Sequence, residues 1–258
     1  MNAFNIGIGG LAGWTVLQRV ETRQIEAVAK EKAVQNSTDY FREKLSADTT
    51  AEDLVGDYRM LSVALKAFGL ESDMGNKAFI RKVLESDLDD KSSLVNRLSD
   101  KRYLKLAEAF GMAKGGVDPE ALGKTVTANY VQREFEARVG AADETMRLAM
   151  NARRELQGMA GRESSNNTLW YEVMGNAPLR EVFQKAFGFG DSFSRLPVER
   201  QLQEFTRGAE SRLGTSQLTE IATDEGIDRL LKNYLVRSQI TTSVAQNRYS
   251  TALALLAR

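Results

Sequence analysis

The sequence contains neither cysteine nor histidine. Without cysteine there is no disulfide framework, no thiolate nucleophile and no iron–sulfur site. Without histidine there is no Ser–His–Asp relay, no imidazole zinc ligand and no side chain that ordinarily titrates near neutrality. Any chemistry would have to rest on carboxylates, Lys, Tyr or a metal held by oxygen. Proline is nearly absent, with 3 in 258 residues. β-Branched residues never gather into alternating runs, which points away from sheets. Neither charge is in excess, since Lys plus Arg and Asp plus Glu each number 35. A chain that grips nucleic acid usually carries a basic surplus, so no nucleic-acid partner is expected. No window offers about 18 consecutive apolar residues, so no transmembrane segment is expected. Met1 to Trp14 is apolar but broken by glycines, with no Lys or Arg ahead of it. It makes a poor secretory signal and reads as a flexible tail over residues 1–14.

What remains is helical periodicity. A loose pattern from Thr15 to Leu45 carries Leu17, Val20, Ile25, Val28 and Val34. Thr49 and Glu52 offer a capping box, after which Leu54, Tyr58, Leu61, Leu65 and Phe68 recur at steps of four and three. That spacing predicts a one-sided helix ended by Gly69. Shorter helices are expected near 73–86, 91–98 and 100–110, the last closed by Phe110 and Gly111. Asp118-Pro119 reads as an N-cap and first helical residue. A long helix then runs to about 157 on a seam of Val131, Phe135, Val139, Ala142, Met146 and Ala149, with a bend at Gly140. Gly158 to Thr168 is the best linker. Helices follow from Leu169, from Pro178, from Pro197 and over about 224–257, the last with an interruption at Thr241-Thr242.

The chain echoes itself. Leu54-Val55-Gly56-Asp57 matches Val173-Met174-Gly175-Asn176, and Lys66-Ala67-Phe68-Gly69-Leu70 matches Lys185-Ala186-Phe187-Gly188-Phe189, at one register of 119 residues. Asn129-Tyr130-Val131 with Arg133 matches Asn233-Tyr234-Leu235 with Arg237 at a register of 104. Ala109-Phe110-Gly111-Met112 repeats the helix ending a third time. In each ending the Phe is expected in the core and the Gly in the left-handed cap. The plainer alternative is that Ala-Phe-Gly is simply a common way to end a helix. The expected organisation is a first helical repeat over 15–160 and a second, shorter one over 161–258.

Motifs for specific chemistry fail on context. Gly7-Ile8-Gly9-Gly10-Leu11-Ala12 has the letters of a dinucleotide fingerprint but too few residues before it for a strand. Gly123-Lys124-Thr125 lacks the first glycine of a phosphate loop, since Asp118 stands there. Asp87, Asp89 and Asp90, with Glu71 and Asp73, lack the spacing of a calcium loop and read as turn and helix caps. No catalytic, cofactor-binding or metal-binding residue and no cofactor are assigned. The residues singled out are structural: Phe68, Gly69, Phe110, Gly111, Phe187, Gly188, Tyr130 and Tyr234.

The repeated Lys-Ala-Phe-Gly-[Leu/Phe] endings and the Asn-Tyr of the returning helices, in a wholly helical chain of this length, resemble the domain-of-unknown-function family numbered 1217 over roughly residues 20–250. The resemblance implies a multihelical fold, an alphaproteobacterial source, a setting among flagellar genes and no assigned enzymatic activity. The chain lacks the Asn-rich signature near the start that rod and hook proteins show, which argues against an axial component. The expectation is an all-α, multihelical, non-enzymatic structural or protein-interaction protein, flagellum-associated, binding a protein partner or itself. It is expected in the cytoplasm, or exported by the flagellar apparatus without a cleaved signal. The alternative is a small-ligand or regulatory module with a pocket between the repeats, flanked by Arg133 and Arg237.

Overall fold

The computed structural model describes residues 9–112 and 117–256, with side chains placed except at 191 and 241–256. Among the described residues there are fourteen α-helices and no strand. The chain is all-α. Helices α1 (Gly10–Ala29), α2 (Lys32–Lys44), α3 (Ala51–Gly56), α4 (Tyr58–Phe68), α5 (Lys77–Leu84), α6 (Leu94–Arg97) and α7 (Arg102–Phe110) precede the long α8 (Pro119–Ala142). Then come α9 (Glu144–Gln157), α10 (Asn166–Gly175), α11 (Ala177–Phe187), α12 (Val198–Leu213), α13 (Leu218–Ile221) and α14 (Asp224–Leu256). None of the described helices is long and apolar enough to cross a membrane.

The helices gather into two compact units. The first is Val20–Ala137, and the second takes the chain up to Arg19 and from Arg138 onwards. These units divide at Ala137, whereas the expected repeats divide at 160. Helix α9 was expected with the first repeat, but it packs on α11 and α14 in the second unit, with Met146, Leu148, Ala149 and Met150 buried. Part of the expected flexible tail is also ordered. Helix α1 starts at Gly10, and Trp14 and Leu17 are buried in the second unit. Trp14 also carries the Arg153 guanidinium over its ring at 5.2 Å. Residues 1–8 lie outside the described residues.

Aspartates set the breaks. The helix expected to start at Thr49 begins one residue later, because Thr50 and Asp53 make the reciprocal capping box: Asp53 N–H donates to Thr50 Oγ1 at 3.1 Å and Thr50 N–H to Asp53 Oδ2 at 3.0 Å. That helix ends at Gly56, and Asp57 opens α4 by accepting the Arg59 and Met60 N–H groups at 2.8 and 3.0 Å. The break changes the helix phase. Leu54, Leu61, Leu65 and Phe68 are buried as expected, but Tyr58, expected on the same stripe, is 69% exposed. Asp143 acts likewise, accepting from Thr145 and Met146 and splitting the expected 119–157 helix three residues beyond Gly140. In contrast, α14 runs unbroken through Thr241-Thr242. Asp118 caps α8 through Glu120 and Ala121, as its pairing with Pro119 predicts.

The core of the second unit is aromatic. Trp170, Phe183 and Phe205 are fully buried, with Trp170 stacked on Phe205 at 5.9 Å and edge-on to Phe183 at 5.3 Å. Phe187, Phe189 and Phe193 extend the cluster, the last two stacked at 4.4 Å. The Trp170 indole N–H donates to the Ser216 carbonyl at 3.0 Å, which satisfies its one polar atom. Beside this core, Arg162 grips the buried Glu172 with two bonds of 2.7 and 3.0 Å. The first unit buries Phe41, Leu54, Leu61, Leu65, Ile80, Phe110 and Phe135.

Candidate functional site

The residues singled out in the sequence converge on three glycine-ended helices. Helix α4 ends in Phe68, buried, and Gly69, left-handed at φ 70°. The Gly69 N–H reaches the Lys66 carbonyl at 3.0 Å and the Leu70 N–H reaches Leu65 at 2.8 Å. Helix α11 ends in the same way. Gly188 has φ 76°, its N–H reaches Lys185 at 3.1 Å, and the Phe189 N–H reaches Gln184 at 2.9 Å. Both are paired reverse bonds that satisfy the last carbonyls of a helix. Gly111 closes α7 more simply, at φ 60° with one bond to Ala107. Phe110 beneath it is 1% exposed.

An arginine from a long helix of the same unit lies against each of the two larger caps. A Cβ placed on Gly69 would fall on the Arg133 guanidinium of α8, and one on Gly188 would fall on the Arg237 guanidinium of α14. Sequence reasoning singled out this pair as flanking a pocket. The structure places each against the end of a helix within its own unit. In the first unit the Gly69 carbonyl also accepts from Arg102, whose guanidinium is held by Asp100 at 2.6 Å. Lys66, in the last turn of α4, pairs with Glu134 at 2.6 Å and lies 5.9 Å over the Tyr130 ring. Arg102, Asp100 and Glu134 were not foreseen, since nothing in their spacing marks them.

Tyr130 and Tyr234 occupy different surroundings. Tyr130 is 8% exposed, while Tyr234 is fully buried with its hydroxyl near Ser238 and Thr145. Burial, reinforced by the Glu181 charge, pushes the Tyr234 phenol well above its ordinary range. Tyr103 is pushed up to about 12 by burial and by the Asp73 carboxylate that accepts its hydroxyl at 2.9 Å. Asp57 is opposite in sign. Its partial burial opposes ionisation, but the bonds from Tyr40 and from the Met60 and Arg59 N–H groups outweigh this and hold its carboxyl below the usual range.

The acidic segment works locally. Asp87 accepts the Asp89 N–H at 2.9 Å, and Asp90 accepts both the N–H and the hydroxyl of Ser92 at 2.8 Å. Among the described residues no three carboxylates come together as metal ligands. Gly123, Lys124 and Thr125 lie inside α8, and the Gly7-Ile8 start of the dinucleotide-like motif lies outside the described residues.

Surface concavities open on the second unit among the described residues. One, of about 440 Å³, is lined by Gly9, Gly10, Asp143, Thr145, Ser238 and Gln239. Another, of about 400 Å³, lies between α9 and α11 and includes Arg147, Leu148, Pro178, Arg180, Lys185 and Phe189.

A search among curated proteins returns no match. Among solved structures the chain is similar to the crystal structure of protein AGR_C_984 from Agrobacterium tumefaciens. The two are 26% identical, the match covers 89% of this chain and 93% of that one, and the TM-score is 0.75. The model of the family described as "Protein of unknown function (DUF1217)" matches residues 67–222, more than half of the sequence, and the chain belongs to that family.

Proposed function

We propose that this chain is a non-enzymatic interaction protein working in flagellar assembly, and that it acts by presenting helical faces to a protein partner. The observation that carries the reading is on α1 and α14. Val236 and Ile240, four residues apart on one face of α14, are 39% and 58% exposed, and Leu11 and Val16 on α1 are 36% and 41% exposed. Gln239 packs on Gly10, so the start of α1 lies against α14 at this level. Exposed apolar groups scattered singly need no explanation, but grouped ones mark surfaces that partners cover. The flagellar setting comes from the family resemblance and not from chemistry.

The test is affinity capture of the tagged chain from flagellated cells, paired with motility of a deletion strain. A flagellar partner that is captured by the native chain and lost on Val236→Glu with Ile240→Glu supports the reading. Normal motility together with no flagellar protein captured refutes it. The alternative, a small-ligand module, has one observation in its favour: the 440 Å³ concavity carries hydroxyl, amide and carboxylate groups. A metabolite panel that raises the melting temperature, and loses that effect on Ser238→Ala, would favour it.

A further inference from the structure

The concavity between α9 and α11 is lined mainly by cations among its described charged side chains. Among the described lining residues three are cations and one is an anion. Lys185 is paired with that anion, Glu181, at 2.6 Å, and Arg147 is held by Glu144 from outside the concavity. Arg180 differs from both. It is half-buried, and its Nη1 donates to the Met174 carbonyl at 3.3 Å. A carbonyl satisfies a donor without cancelling the charge, and no carboxylate among the described residues pairs with Arg180. A guanidinium presents five donors in a flat fork, so one bond to a carbonyl leaves most of its capacity directed elsewhere. Beside it, Leu148, Pro178 and Phe189 supply an apolar wall. The Lys185–Glu181 pair is about half exposed on both sides, and such pairs exchange partners at little cost.

We infer that this concavity is a docking site for an acidic segment of a partner protein, with Arg180 receiving a carboxylate and the Leu148–Pro178–Phe189 wall receiving an adjacent apolar side chain. Charge complementarity selects the occupant. An arginine that meets a carboxylate with two parallel bonds gains direction as well as energy, and the apolar wall distinguishes a peptide from a free anion. Lys185 can turn from Glu181 to a second incoming carboxylate, which adds attraction at a distance and makes association depend on salt. The inference rests on the interaction reading above but uses a different surface from the α1 and α14 positions, so each can fail without the other.

The experiment uses the full chain and a short fluorescein-labelled peptide in which Glu and Leu alternate, followed by polarisation at low and physiological salt. Its counterparts replace every Glu with Lys, or every Leu with Ser. The expected result is binding of the Glu–Leu peptide, weaker binding of the Glu–Ser peptide and none of the Lys–Leu peptide. Arg180→Met should weaken binding about tenfold or more, since it keeps the apolar stem and removes a charge-assisted pair. Arg180→Lys should recover part of the loss. Helical circular dichroism and the melting temperature, measured on the same samples, show that each variant is folded. Equal binding of the Glu and Lys peptides, no binding of either, or binding unchanged by Arg180→Met overturns the proposal. If the Glu–Leu peptide fails to bind while flagellar capture by the native chain persists, the interaction reading stands and this site falls.

Discussion

The guanidiniums set against Gly69 and Gly188 make a series of glycine replacements informative. Gly214 ends α12 in the same left-handed conformation, at φ 80°, but a Cβ added there would meet nothing within 4 Å. Gly214→Ala therefore measures the backbone penalty alone, about 1–2 kcal/mol for an L-residue in that region. At Gly188 the new methyl falls on the Arg237 guanidinium and at Gly69 on that of Arg133. Moving either displaces a half-buried charged donor from its surroundings, which adds about 1–3 kcal/mol. Arg133 is only 13% exposed at its side chain, so it has little freedom to swing into water. The Gly69 carbonyl is held as well by Arg102. The expected order of destabilisation is Gly69→Ala, then Gly188→Ala, then Gly214→Ala. Urea unfolding followed by circular dichroism reads the order, and thermal melts should show gaps of about 2–4 °C per kcal/mol for a domain of this size. A double-mutant cycle isolates the cause. In an Arg237→Ala background the steric partner is gone, and Gly188→Ala should then cost no more than Gly214→Ala. Equal losses at the three glycines, or an additive cycle, would show that the arginines do not hold the caps.

Phe187 touches Phe183 and Phe205 at centroid distances of 5.6 and 6.4 Å, whereas Phe68 is the more exposed of the pair at 9%. Both truncations to Ala should cost roughly 3–5 kcal/mol, with Phe187→Ala the larger in a denaturant melt; unmoved melts would remove these residues from the core. Asp57 has a depressed folded pKa, so its stabilising contribution is present above its unfolded value of about 3.9 and is lost as pH falls through the lower folded value. Asp57→Asn keeps an acceptor for the cap but should flatten the acid side of the stability–pH curve, and an unchanged acid limb would refute this. Arg162→Ala strands the Glu172 carboxylate, which is only 6% exposed, and should destabilise by roughly 1–3 kcal/mol; Glu172→Gln in that background should recover part of the loss.

Much of the local structure was legible because its signals are local. A left-handed glycine after a buried Phe, an Asp before Pro119 and the inward set Leu179, Val182, Phe183, Ala186 and Phe187 all follow from spacings within one helix. The phase resets at Asp57 and Asp143 were not. An aspartate inside an apolar repeat reads as a solvated face, and only the accepted N–H groups show that it begins a new helix. Tyr58 was misplaced for that reason. The allocation of α9 was illegible for a different one. Its apolar seam continues that of α8, and periodicity carries no information about which core a stripe will meet.

The two arginine-backed caps bear on the repeat more than their glycines do. Ending a helix requires a glycine and a nearby apolar group, and Gly111 and Phe110 satisfy the rule with a single bond to Ala107. The ends of α4 and α11 share features that capping does not require. Each follows a preceding helix that stops at a glycine, Gly56 or Gly175, and each is opened by an Asx cap, Asp57 or Asn176, whose N–H returns to the residue four back at 3.1 Å. Each then meets an arginine three residues beyond the Asn-Tyr tyrosine of its returning helix. Convergence on a good helix ending would select the glycine and leave these neighbours free to differ. Their agreement carries the likeness of the two helix endings beyond the glycine itself. The differing surroundings of Tyr130 and Tyr234 mark where that likeness stops.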